Sequence, residues 1–121
     1  MLSKAKIKLI NQLAQKKYRN QTGLFIAEGH KTVGDMMEYF TPEFLYYTSD
    51  YNGKKSANES CEVTYEELKK ISRLETPQNV LAVFKMPVYD NVSINPDELT
   101  LALDGIQDAG NMGTIIRIAD W

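Results

Sequence analysis

The residues best equipped to do chemistry lie at the end of the chain, in LTLALDGIQDAGNMGTIIRIADW, Leu99 to Trp121. Arg117 carries a planar fork of donors that can hold a phosphate or the edge of a ribose. Asn111 offers an amide, and Gly105, Gly110 and Gly113 let the backbone turn where a Cβ would clash. Leu99, Leu101, Ala102 and Leu103, ending at Asp104, read as a strand covered on both faces, as in a parallel sheet. Thr114 is the expected N-cap of a helix whose apolar side is Ile115, Ile116, Ile118 and Ala119. That spacing puts Arg117 in the helix's first turn, where its charge opposes the macrodipole and its side chain leans back over the loop holding Asn111 and Gly113. A strand, a glycine loop and a helix present backbone N–H groups at the carboxyl edge of a sheet, where α/β proteins bind ligands. The other use of Arg117 at this spacing is an ion pair with Asp104, Asp108 or Asp120.

A second candidate is the first twenty residues. Lys4, Lys6, Lys8, Lys16, Lys17 and Arg19 fall there, and none of the chain's 16 acidic residues does. The net charge of −2 argues against a nucleic-acid binder, whereas the asymmetry suggests a local footprint for a polyanion. A solvated helix face would give the same pattern. Tyr18 is either a platform on which a base stacks or a packing residue with its hydroxyl in water. Glu28 could orient an arginine such as Arg19. It has no visible partner as a general base, so it reads as structural. The single cysteine, Cys61, excludes an internal disulfide framework and fits a reducing cytoplasm. It lies far from His30 with no supporting ligands, so no metal site is expected. No apolar run is long enough to span a membrane, and the basic N-terminus has no signal-peptide pattern.

Several elements must position these groups. Residues 3 to 17 read as a helix capped by Ser3, with Ile7, Ile10, Leu13 and Ala14 on one stripe. Lys16 to Gln21 follow as a basic connection. Leu24 to Ala27 form a strand opened by Gly23 and closed by Glu28 and Gly29. Val33, Met36, Met37 and Phe40 keep the spacing of a helix packed on a sheet. Phe44 to Thr48 make a second strand, and Ser49 to Ser60 a mobile loop with a turn at Asn52-Gly53. Cys61 to Val63 suit a brief strand. Thr64 and Glu67 form a capping box for a helix bearing Leu68 and Ile71. Val80 to Phe84 is a buried strand. Alternating strands and helices predict a three-layer α/β/α domain over residues 1–85, then a linker at 86–97 rich in Pro, Asp and Asn, and a last segment at 98–121.

The string LALDGIQDAGNMGTIIRIADW closely resembles the first motif of the SpoU (TrmH-type) RNA ribose 2′-O-methyltransferases of the SPOUT superfamily. The family's N-x-G-x-x-x-R is met by Asn111, Gly113 and Arg117, with Ala109 where the family often has Pro. The N-terminal stretch resembles the substrate-binding domain that precedes the methylase domain, through Lys16, Lys17, Arg19, Gly23, Phe25, Glu28 and Gly29. TPQNVLAVFKMP is similar to that domain's closing strand.

The resemblance implies an L30e-like RNA-binding domain followed by the first strand and helix start of a SPOUT domain. It implies that Arg117, helped by Asn111, acts on the ribose 2′-hydroxyl in the whole enzyme. Lys4, Lys6, Lys16, Lys17 and Arg19 would hold ribosomal or transfer RNA. The cofactor would be S-adenosylmethionine, bound in a knot made by two later motifs that this sequence lacks. This chain alone is therefore expected to be inactive, to bind no cofactor and to be monomeric, the parent being a homodimer through its C-terminal domain. The alternatives are a non-enzymatic L30e-like RNA-binding module and a protein-interaction domain without an RNA role.

Overall fold

Val80 to Phe84 offer five apolar side chains in a row, and a strand that buries both of its faces needs such a run. In the computed structural model, which describes residues 1–121, this run is the buried body of a strand near the middle of a four-stranded sheet. The chain divides into two compact units, Met1–Pro87 and Val88–Trp121.

The first unit runs α1 (Lys4–Gln12), α2 (Lys16–Thr22), β1 (Leu24–Glu28), α3 (His30–Met37), β2 (Phe44–Tyr47), β3 (Glu59–Glu62), α4 (Tyr65–Lys69) and β4 (Val80–Lys85). The sheet order is β1-β4-β2-β3. β4 pairs antiparallel with β1 and β2, and β2 pairs parallel with β3. Alternation along β4 then makes two cores. Leu81 and Val83 pack with Ile10 of α1, Leu13 just beyond it, and Leu68 and Ile71 around α4. Val80, Ala82 and Phe84 pack on the other face with Val33 and Met37 of α3 and Leu45 of β2. Helices therefore cover both faces of a mixed sheet, as expected.

Several boundaries differ from the sequence reading. The expected helix from residue 3 to 17 breaks at Leu13–Gln15, and the expected basic connection is the helix α2. Gly23, at φ +68°, closes α2 with its N–H donating to the Arg19 carbonyl. Ser3 caps α1 through the Lys6 N–H, as its type predicts. Thr64 caps α4 by accepting from the Glu67 N–H at 3.1 Å, but the Glu67 carboxylate accepts from the Leu2 N–H instead of closing a capping box. Phe40 lies beyond α3 and is largely exposed. The expected loop at residues 49–60 is shorter, because β3 begins at Glu59 and ends at Glu62. Tyr51 is buried there, its hydroxyl donating to the Lys54 carbonyl at 2.8 Å, so the loop is anchored to the second core.

The second unit holds one helix, α5 (Ala109–Ala119). The expected strand at Leu99–Leu103 does not form: these residues are exposed and take no regular structure, with no hydrogen-bonded neighbour strand. No helix of either unit is long and apolar enough to cross a membrane.

Candidate functional site

The basic N-terminal segment sorts into cations that brace the fold and cations that face water. Arg19, on α2, turns its guanidinium onto the end of α1, where Nη1 donates to the carbonyls of Leu13 and Ala14 at 3.0 and 2.8 Å. Carbonyls at a helix end lack intrahelical partners, and a guanidinium answers them better than water does. Arg19 does not pair with Glu28. Lys6 lies 2.9 Å from the Glu59 carboxylate and 3.3 Å above the centre of the Phe44 ring, so it pins α1 to the sheet. Lys4, Lys8, Lys16 and Lys17 are exposed and form no ion pair. Lys17 sits 5.5 Å from the Tyr18 ring centre.

Glu28 is structural, through partners the sequence did not reveal. One carboxylate oxygen accepts from the Ser72 hydroxyl at 2.5 Å and the other from the Arg73 N–H at 2.9 Å. It thereby ties the end of β1 to the segment after α4. Gly29, at φ +95°, turns the chain into α3, and a Cβ there would meet the Gln78 Oε1 at 2.6 Å. Arg19, Gly23, Glu28 and Gly29 are thus an architectural signature: one arginine and one carboxylate fasten neighbouring loops, and two glycines make the turns between them.

Two of these residues, Arg19 and Glu28, border an open cleft of about 550 Å³ beside β1. Phe25, Ile26, Ala27 and Glu28 of β1 line it, with Leu13, Arg19, Thr32, Met36, Arg73 and Leu74. Arg73 and Thr32 were not singled out from the sequence. Arg73 comes from a loop with no periodic signal and Thr32 from the first turn of α3, and the Arg73 N–H on the Glu28 carboxylate holds that loop at the end of β1.

In the second unit the expected geometry is revised. Asp108, not Thr114, caps α5, accepting from the Asn111 N–H at 2.8 Å. Thr114 lies inside the helix, its hydroxyl donating to the Gly110 carbonyl at 3.0 Å. Gly110 and Gly113 are helical, and only Gly105 has positive φ, +71°. Arg117 therefore falls in the last turn, where the macrodipole favours its charge, rather than in the first. It is exposed and makes no ion pair with Asp104, Asp108 or Asp120. Asn111 and Arg117 share one exposed helix. Nowhere in the protein are three or more His, Cys, Asp or Glu side chains grouped to hold a metal ion.

Comparison with known proteins gives a consistent answer. The family described as MRM3-like substrate binding domain matches residues 4–82. The 23S rRNA (guanosine(2553)-2′-O)-methyltransferase RlmP of Bacillus subtilis is 29% identical over 122 residues, covering 95% of this chain and 47% of RlmP. A structure described as an RNA methyltransferase of the TrmH family from Porphyromonas gingivalis superposes with a TM-score of 0.73 at 34% identity, over 100% of this chain and 49% of that one. The AdoMet-bound rRNA methyltransferase of Sinorhizobium meliloti superposes with a TM-score of 0.57 at 28% identity, over 74% of this chain and 36% of that one. The chain spans between about a quarter and a half of the length of the curated relatives it matches.

AdoMet, S-adenosylmethionine, needs polar partners for its ribose, its adenine edge and its amino-acid end. The hollow on the second unit is lined by Leu99, Leu101, Ile115, Ile118, Ala119 and Trp121. Those side chains offer no carboxylate, hydroxyl or amide, so this hollow does not fit the cofactor.

Proposed function

Since the chain belongs to the MRM3-like substrate-binding domain family over residues 4–82, we propose that its first unit holds RNA for an rRNA 2′-O-methyltransferase. The observation that carries this is the set of exposed, unpaired lysines, Lys4, Lys8, Lys16 and Lys17, on the two N-terminal helices of a chain that is otherwise acidic. An ammonium without a protein carboxylate is free to replace the counterions of a phosphate backbone. Lys6 and Arg19 contribute indirectly, by fixing α1 and α2 against the sheet and against each other. The reading extends to an L30e-type scaffold for this unit, with residues 1–85 as the RNA-holding domain and 86–97 as its linker.

In the whole enzyme the stretch from residue 98 would begin the methylase domain, with S-adenosylmethionine as methyl donor and a homodimer as the assembled form. Arg117 would orient the ribose 2′-oxygen and its neighbouring phosphate. Arginine is too weak an acid to serve as a base at neutral pH, so its role would be electrostatic. Asn111 would hydrogen-bond beside it.

The test is RNA binding by this chain at two salt concentrations, with Lys16→Glu/Lys17→Glu as the variant. Arg19 is left intact because its loss would unfold the corner instead of reporting on RNA. Binding should weaken with salt, and the variant should flatten the log–log salt slope by about 1–2. No binding at low salt would overturn the reading.

A further inference from the structure

None of the lysines just described lines the cleft beside β1, and its chemistry is of a different kind. β1 is an edge strand, paired only with β4. The Gly29 N–H donates to the Val80 carbonyl and the Met86 N–H to the Gly23 carbonyl, which sets the alternation of the ladder. Residues 25 and 27 therefore exchange hydrogen bonds with β4, and the main-chain groups of Leu24, Ile26 and Glu28 turn toward the free edge. The Leu24 N–H is taken by the Thr22 hydroxyl at 3.2 Å. The N–H and carbonyl of Ile26 and the N–H of Glu28 remain open on the side where Ile26 and Glu28 line the cleft.

Around these open groups the cleft places an apolar floor and cations. Phe25, Met36 and Leu74 supply the floor, and the Phe25 ring is already held by stacking on Phe84 at 5.9 Å. Arg73 stands at the rim, exposed, with no ion pair and no side-chain hydrogen bond. The Arg19 guanidinium commits only Nη1 to carbonyls. The Thr32 hydroxyl is free. Both oxygens of the Glu28 carboxylate are occupied by Ser72 and Arg73.

We propose that this cleft seats one unpaired nucleotide of the RNA, base on the Phe25–Met36–Leu74 floor and phosphate on Arg73. An unstacked base takes apolar and aromatic contact on its face and hydrogen bonds on its edge, and the open Ile26 and Glu28 groups supply the edge partners. A cleft of about 550 Å³ lies within the roughly 300–1,000 Å³ of sites that enclose a ligand of this size. An added peptide strand is the other occupant an open edge invites. It is disfavoured here because the Leu24 N–H at the start of the edge is already taken by Thr22, and because the guanidinium at the rim asks for an anion. The proposal rests on the RNA-holding reading and adds selectivity to it: the lysines grip backbone of any form, whereas the cleft takes only a base that is out of a helix.

The experiment uses the whole chain, isotope-labelled for amide NMR, with a short single-stranded RNA and a duplex of the same sequence. Arg73→Glu is compared with the Lys16→Glu/Lys17→Glu variant, and Arg73→Lys serves as the conservative control. Single-stranded RNA should shift the Ile26 and Glu28 amides while the duplex leaves them in place. Arg73→Glu should weaken single-strand binding about tenfold and Arg73→Lys much less. RNA binding that depends on Lys16 and Lys17 but ignores Arg73→Glu, with the two amides unmoved, overturns the cleft and leaves the RNA-holding reading standing. No RNA binding at all overturns both. Amides that stay in place with RNA but broaden as the chain is concentrated assign the edge to a second copy, which also overturns the cleft.

Discussion

Arg19 shows how a residue's charge can mislead about its job. Its type and neighbours suggested a phosphate contact, yet its Nη1 is committed to the Leu13 and Ala14 carbonyls at the end of α1. Replacing it by Ala should cost about 1.5–3 kcal/mol in chemical denaturation, because two carbonyls lose a charged donor at once. Lys should recover only part of this, because its stem is shorter and its ammonium is a more strongly hydrated point charge. Tyr46 offers a second test at this scale. Burial raises its pKa to about 12, with the Glu59 carboxylate and then Cys61 adding to the shift. The fold thus favours the neutral phenol. This contribution is full below pH 10, where the unfolded phenol ionises, and is lost as pH rises toward 12. Between pH 9 and 11.5 the wild type should therefore lose more stability than Tyr46→Phe does, a difference readable from urea midpoints at the two pH values.

At the scale of elements, periodic stretches were legible and ends were not. The body of β4, the face of α3 and the Ser3 and Thr64 caps follow from apolar spacing and side-chain oxygens. α2 was missed because KKYRNQT buries none of its residues, so it carries no stripe to read. The start of α5 was displaced by six residues because Gly110 and Gly113 look like loop, while the cap that decides it is one carboxylate, Asp108. Leu99–Leu103 read as a strand because its composition is that of one. A strand also needs a neighbour for its N–H and carbonyl groups, and its unit has none.

Two glycines flanking the start of α3 give a prediction of opposite signs. Gly29→Ala puts a Cβ at φ +95° against Gln78 and should destabilise by about 1–3 kcal/mol. Gly34→Ala lies mid-helix with open space around it and should stabilise by roughly 0.5–1 kcal/mol. Thermal melts of the two variants separate these directly.

For the whole molecule, the distribution of burial decides what folds. Every buried apolar side chain lies between Leu2 and Phe84, and α5 buries none of its residues. Leu99, Ile116, Ile118 and Trp121 instead expose large apolar surface. Such a surface carries no folding free energy of its own, since stabilisation by apolar groups scales with the area removed from water. Both cores and all four strands belong to the first unit. The chain cut after Pro87 should therefore keep the urea midpoint of the whole chain within error and unfold in a single step. Its slope against urea should fall little, because that slope follows the area newly exposed on unfolding, and residues 88–121 already expose most of theirs. It should also keep its salt-sensitive RNA binding, since Lys4, Lys8, Lys16, Lys17 and Arg73 all remain. A midpoint lowered by the cut would mean that the exposed apolar residues are covered in solution, and burial within the first unit would then no longer account for the stability of the chain.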